Sequence, residues 1–230
     1  MIVRDDAVWA PTIRSDQRVD TAPERDDAWP QISLVYGTRR SARLARRVLD
    51  VLVAVVALAL TAPLLLVAAA AIVAEDGGPV LFTQRRVGRF ERLFTMYKLR
   101  TMRVEMCDDR LTPSTSRDAR LTRVGRLLRR TSVDELPQLV NVIRGEMAII
   151  GPRPEMPFIV RQYAPWQHLR HLAAPGLTGL WQVTCRSQIP LHRPEATLLD
   201  LEYIRRASPS TDLKILLETV RVVVNGRGAH

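Results

Sequence analysis

Residues 51–74 read VLVAVVALALTAPLLLVAAAAIVA, twenty-four positions without a charged side chain. As a helix the run measures about 36 Å, enough to cross a hydrocarbon core of roughly 30 Å. A buried helix of a water-soluble protein seldom goes so far without charge, so this segment is expected to enter a membrane. Pro63 stands at its centre, where it removes a backbone hydrogen bond and bends a helix. Arginines flank the run on both sides: Arg39, Arg40, Arg43, Arg46 and Arg47 before it, and Arg85, Arg86 and Arg89 after it. Positive charge marks the cytoplasmic side, so both ends favour the same side. A helix that enters, breaks at Ala62-Pro63 and returns satisfies both clusters. A kinked helix that spans, with weak charge bias, is the alternative. Asp50, just inside the run, is expected to pair with Arg46 or Arg47 at the interface.

Outward from this segment the chain is of single-domain size, 230 residues with a formal net charge of +10. Lys98 and Lys214 are the only lysines, so the basicity is almost all arginine, the side chain suited to forked contacts with phosphate. A hydrophobic content of 47% excludes a disordered chain. A mean hydropathy of −0.04 excludes a polytopic membrane protein. Cys107 and Cys185 lie far apart without metal-ligand spacing, which excludes a disulfide scaffold and a zinc ribbon. Residues 1–38 carry a charge of −3 and the remainder +13. That first stretch holds Pro11, Pro23 and Pro30, lacks a sustained period, and is expected to be a flexible acidic tail rather than a secretory signal. The organisation expected is therefore a tail over 1–38, a basic-flanked membrane helix broken at Pro63 over 39–76, and a cytoplasmic domain over 77–230.

The last part reads as a small α-rich α/β domain with short strands and amphipathic helices. Gly77-Gly78-Pro79 is a turn and Val80-Leu81-Phe82 a short strand. Residues 92–100 form a second strand, in a hairpin around Gly88. Residues 104–119 are polar and read as a loop. Leu121, Val124, Leu127 and Leu128 fall at helical spacing with arginines opposite, and residues 136–143 form another amphipathic helix stopped by Gly145. Residues 155–172 read as helix, Pro175-Gly176 as a turn and residues 180–183 as a strand. The last helix runs from Asp212 to about Val224, with Ser210 or Thr211 as N-cap.

Chemistry concentrates in Arg129-Arg130-Thr131-Ser132-Val133-Asp134-Glu135-Leu136-Pro137, an acidic pair behind a run of arginines. Ser132 and Glu135 also fit a Ser-x-x-Glu capping box, a purely structural use. With Asp134 as N-cap instead, Pro137 falls in the first turn, and the helix dipole favours an ionised Asp134. An ionised carboxylate beside arginines suits a nucleophile toward phosphorus or a magnesium ligand. In Gly151-Pro152-Arg153-Pro154 the prolines fix the backbone around Arg153, which then loses little entropy in clamping a phosphate, or in bonding a nearby carboxylate. Lys98 and Arg100 alternate with apolar residues on the second strand. His168 and His171 sit one helical turn apart without a third ligand near them in sequence, and read as surface or interface residues rather than a metal site.

Taken together, RRVLDVLVAVVALALTAPLLL, GGPVLFTQRRVGRFERLFTMYKLRTM, LTRVGRLLRRTSVDELPQLVNVIRGEMAIIGPRPEMP, PGLTGLWQV and LDLEYIRR…TDLKILLETV resemble the bacterial sugar transferases, the monotopic phosphoglycosyltransferases. The resemblance implies transfer of a sugar-1-phosphate from a nucleoside diphosphate sugar, usually a UDP-sugar, to undecaprenyl phosphate, with Mg2+ required and UMP released. It implies Asp134 as the nucleophile that forms a covalent phosphosugar intermediate, with Glu135 aiding metal binding or proton handling. Lys98, Arg100, Arg129, Arg153, Arg186 and Asp200 fall at family positions implied in substrate binding. A re-entrant helix, a site at the cytoplasmic face of the bacterial inner membrane and a role starting exopolysaccharide or glycoconjugate assembly are implied as well. So are a homo-oligomer and downstream glycosyltransferases as partners, and no nucleic acid. Here Ala62 precedes Pro63 where the family usually has serine, and Thr61 is expected to recapture the freed carbonyl. Cys185 replaces a common glycine before Arg186. Residues 1–38 cannot supply the multi-spanning region of larger relatives, so a minimal form is expected. A catalytically idle scaffold that recruits glycan enzymes is the alternative; a nucleic-acid binder is disfavoured because aromatics are only 5%.

Overall fold

A computed structural model describes residues 40–103, 118–185 and 189–224. The tail, most of the 104–119 loop and Arg186 lie outside the described residues. The order of elements is α1 (Arg40–Asp76), β1 (Leu81–Val87), β2 (Leu93–Leu99), α2 (Arg123–Arg130), α3 (Gln138–Arg144), β3 (Ala148–Ile150), α4 (Pro157–Val160), β4 (Gly176–Thr178), α5 (Leu180–Thr184), α6 (Pro194–Arg206) and α7 (Pro209–Val224). Among the described residues helix dominates, with two two-stranded sheets.

Helix α1 holds the apolar run and is, among the described residues, the one helix long and apolar enough to cross a membrane. Helical structure continues through Pro63, so the expected break is not an interruption of the helix. The proline withholds one donor, from the carbonyl of Ala59, while the turns on either side keep theirs. Thr61 does not recapture that carbonyl: its hydroxyl bonds Ala57 O at 2.7 Å, a back-bond that itself bends helices.

Both ends of α1 rest on the same body. Near its start, Arg46 pairs with Asp212 (2.8 Å) and donates to the Tyr203 hydroxyl (2.6 Å), while Arg47 donates to Ile143 O (2.9 Å). Asp50 accepts the Ile149 N–H at 3.2 Å, and the charges of Arg46 and Arg47, the expected partners, also act on it. Near the end, Ala68 and Ile72 pack with Leu99 and Leu128, joined by Leu65, Val80, Val124 and Val133. Burying each such large side chain stabilises by about 1.5–3 kcal/mol. Glu75 accepts the N–H groups of Arg123 and Val124 (2.6 and 2.7 Å), the open start of α2. On the other side of α1, Leu60, Leu66 and Val67 are exposed.

Strands β1 and β2 form the expected hairpin, with Leu81 opposite Leu99 and Val87 opposite Leu93. Its tip uses the left-handed region at Phe90 (φ 54°) and Glu91 (φ 59°), not at Gly88. Thr122 caps α2 by accepting Gly125 N–H at 2.8 Å. Leu128 is buried as the spacing predicts, but Leu127 is exposed. Helix α3 ends at Gly145, whose φ of 85° needs a residue without Cβ.

Three local expectations are corrected. Residues 180–183 form α5, not a strand; a short apolar run does not reveal its own period. The strand is instead at Gly176–Thr178, parallel to β3. Residues 155–172 form short α4 and a 3-10 segment over Pro165–Leu172, because Pro165 restarts the chain at a first helical position. Helix α7 starts at Pro209, and Ser208 receives the Thr211 N–H at 3.2 Å.

Candidate active site

The site is assembled from three chain segments. Asn141 of α3 accepts the Tyr97 N–H (3.1 Å) and donates to Thr95 O (2.7 Å), which fixes β2 and with it Lys98. After α2, Ser132 adopts φ 57° and a 3-10 turn over Val133–Glu135 follows. The reversal turns Asp134 and Glu135 inward, and both are buried. Arg153 arrives from β3 through Gly151-Pro152. Gly151 is required there by close approach: a Cβ would lie 2.3 Å from Ala174 O.

Glu135 joins the segments. Its Oε1 accepts from Lys98 Nζ at 3.0 Å and from Arg153 Nη2 at 2.6 Å, while Oε2 lies 3.3 Å from Arg153 Nη1. No side-chain cap is made by Ser132, so the capping-box reading does not hold. Asp134 is likewise not an α-helix N-cap, because it lies inside the 3-10 turn and Pro137 leads into α3. The reason is tertiary: two cations remote in sequence outcompete a local backbone donor for Glu135.

Burial pushes the Lys98 ammonium down to about 8, against the pull of Glu135 and Asp134. Burial also works against the Arg153 charge, but Glu135 outweighs it and holds the guanidinium above its ordinary value. Both cations feel Asp134 as well as Glu135. The result is two buried carboxylates and two half-buried cations in one place, able to accept an anion and to present an oxygen to it.

The other expected residues divide. Arg129 is half-buried in the last turn of α2, just before the acidic pair. Arg100 is not brought into this cluster: it bonds Asp76 and the carbonyls of Gly77, Pro79 (2.7 Å) and Met102 (3.3 Å), clamping the end of α1. Asp200 is buried on α6 and pairs with Arg170 at 2.6 Å. Arg170 in turn donates to Arg153 O at 2.8 Å and to the Tyr163 hydroxyl at 2.6 Å. Asp200 therefore acts on Arg153 through Arg170. Burial raises its carboxyl to about 6, with Arg170 opposing the rise. Sequence reasoning missed Arg170 and Asn141, since neither lies in a patterned motif. It also missed the buried pair Arg86–Glu155 (3.5 Å), which ties β1 to the segment after Arg153.

An apolar cavity of about 250 Å3 opens beside Ser132 and Glu135, walled by Leu136, Ile149, Leu177 and Val222 among others. It lies between the acidic turn and α7, whose Leu213, Leu217 and Val220 are exposed.

Residues 41–226 match the family described as "Bacterial sugar transferase". The chain is 44% identical to the UDP-glucose:undecaprenyl-phosphate glucose-1-phosphate transferase of Caulobacter vibrioides, over 81% of this chain and 72% of that protein. It is 37% identical to the galactosyl transferase CpsE of Streptococcus agalactiae, over 81% of this chain and 43% of that one. It is also 37% identical to the exopolysaccharide production protein ExoY of Rhizobium meliloti, over 81% and 88% respectively. The chain thus spans less than half the length of the streptococcal relative.

Proposed function

This chain belongs to the bacterial sugar transferase family, and on that footing we propose that it transfers a sugar-1-phosphate from a nucleoside diphosphate sugar, a UDP-sugar, to undecaprenyl phosphate. The activity for which the Caulobacter relative is named supports the substrate classes. The observation that carries the reading is Glu135 held by Lys98 and Arg153 beside a buried Asp134. An anionic nucleophile approaches a diphosphate only where cations neutralise the accumulating charge.

In the proposed reaction an Asp134 oxygen attacks the β-phosphorus of the donor. The bond from that phosphorus to the bridging oxygen breaks, and its electron pair leaves on UMP. A phosphate oxygen of undecaprenyl phosphate then attacks the same phosphorus, frees Asp134 and forms undecaprenyl-diphosphate-sugar. Lys98 and Arg153 bind the diphosphate oxygens, and Glu135 keeps both cations in place. Magnesium fits the donor set: hard oxygens of the Asp134 carboxylate and Glu135 Oε2 would hold it. Bound there it would offset diphosphate charge. The apolar cavity beside Glu135 suits the first isoprene units of the carrier.

The membrane reading is monotopic, with residues 77–230 as the catalytic domain at the cytoplasmic face of the inner membrane. Both ends of α1 bind this one domain, which supports a helix that enters and returns, since a spanning helix would carry its ends to opposite faces about 30 Å apart. The exposed apolar side chains of α7 suit the lipid interface. The relative named for exopolysaccharide production supports a role at the start of such a pathway.

The test is UMP release by the full chain with Mg2+, undecaprenyl phosphate and a series of UDP-sugars. Release matched by lipid-linked sugar in equal amount is expected with one or a few donors. No product with any donor would favour the scaffold alternative.

A further inference from the structure

The hairpin tip and the 3-10 segment Pro165–Leu172 bring together three donors that are remote in sequence. Glu91 Oε1 lies 2.6 Å from His168 Nδ1 and 3.7 Å from His171 Nδ1. One ligand atom from each of the three residues lies within 4.8 Å of the others. The expectation that the two histidines lack a third ligand is thereby corrected, as Glu91 comes from across the fold. His171 is not a surface residue either: only 7% of it is exposed. Its Nδ1 is buried without a hydrogen-bond partner and faces Glu91. Leaving a buried polar atom unpaired is unfavourable, so its persistence here asks for a partner.

We propose that Glu91, His168 and His171 form a binding site for a divalent transition metal of the zinc class, distinct from the magnesium-dependent centre at Asp134. Two imidazoles and one carboxylate are a donor set for zinc, whereas magnesium prefers oxygen alone. Metal–ligand bonds of about 2.0–2.2 Å at tetrahedral angles place donor atoms about 3.3 Å apart. The two separations from Glu91, 2.6 and 3.7 Å, bracket that value, and all three donor atoms lie within 4.8 Å of one another, so side-chain adjustment alone brings them to one ion. The frame is already set, because Arg89 Nε donates to Leu172 O at 3.0 Å and docks the tip on the segment. The nearby Arg170 cation is balanced by Asp200 at 2.6 Å. Three protein ligands leave a coordination position on the Glu91 side for water. The metal would staple the hairpin to the segment whose Arg170 holds the Arg153 carbonyl, making it a brace for the site rather than a reacting group.

The experiment uses the full chain without a histidine tag, in detergent, stripped with chelator and titrated with zinc chloride in excess magnesium. Bound zinc is measured by mass spectrometry of the metal, and the melting midpoint is followed in parallel. One zinc per chain with a raised midpoint is expected. Glu91→Gln and His168→Gln, both at exposed or half-exposed positions, should weaken zinc binding at least about tenfold, since even outer-sphere changes cost 10–100-fold. Asp134→Asn should retain zinc at the wild-type level. Less than stoichiometric zinc in the wild type, uptake unchanged in Glu91→Gln, or zinc lost only in Asp134→Asn would each overturn the proposal.

Discussion

Arg153 and Glu135 meet in a two-pronged contact, with Nη2 2.6 Å from Oε1 and Nη1 3.3 Å from Oε2. The pair links the turn after β3 to the turn after α2, and Lys98 completes it from β2 at 3.0 Å. Planar fork-to-fork geometry is specific to arginine. Arg153→Lys should therefore fold but lose about 10²–10³-fold in kcat, the scale of removing one charge-stabilising donor. UMP release together with far-ultraviolet circular dichroism separates lost chemistry from lost fold.

Lys98 gives a pH signature. Its ammonium, pushed down to about 8 by burial, loses its proton as pH rises through that value. Donor KM should climb above pH 8, and Lys98→Arg should remove that limb because guanidinium stays charged. Stability should move the other way. Between about 8 and the ordinary 10.5 the unfolded chain binds more protons than the folded one, so this lysine's contribution to stability improves with rising pH. Activity falling while the melting midpoint holds is the expected pattern; parallel loss of both would count against it.

Asp200 and Arg170 are nearly inaccessible, at 2% and 1% side-chain exposure. Asp200→Asn strands a buried guanidinium and should cost about 3–5 kcal/mol, read as a lowered denaturation midpoint. Turnover should fall further than destabilisation explains, because Arg170 also holds the Arg153 carbonyl. An unchanged midpoint would remove Asp200 from its supporting position.

Much of this was legible in the sequence, for reasons that differ by element. The membrane run, the hairpin of β1 and β2, and helices α2, α3 and α7 declare themselves through hydropathy and period, which are local properties. The acidic turn was visible, but its use was not. Ser132 and Glu135 spell a capping box whether or not the cap forms, and Lys98 and Arg153 settle the matter from 37 and 18 residues away. The same limit applies to Lys98 and Arg100: they read alike on the strand, yet one faces Glu135 and the other Asp76. Glu91, 77 residues from His168, could not be paired with it by spacing.

The placement of α1 has its own test. In a chain with Cys107→Ser and Cys185→Ser, Arg43→Cys and Gly78→Cys lie at the two ends of the helix. An impermeant thiol reagent should label both from the cytoplasmic side of membrane vesicles and neither from the other. Labelling from opposite sides would establish a spanning helix and contradict the monotopic reading.

The proposed reaction requires Asp134 to bond covalently to the transferred phosphosugar. Intact-protein mass spectrometry of the full chain with Mg2+ and a UDP-sugar, without lipid acceptor, tests it directly. A mass gain equal to one sugar-phosphate is expected in the wild type and none in Asp134→Asn. No gain in the wild type, with UMP release to undecaprenyl phosphate persisting in Asp134→Asn, would contradict it.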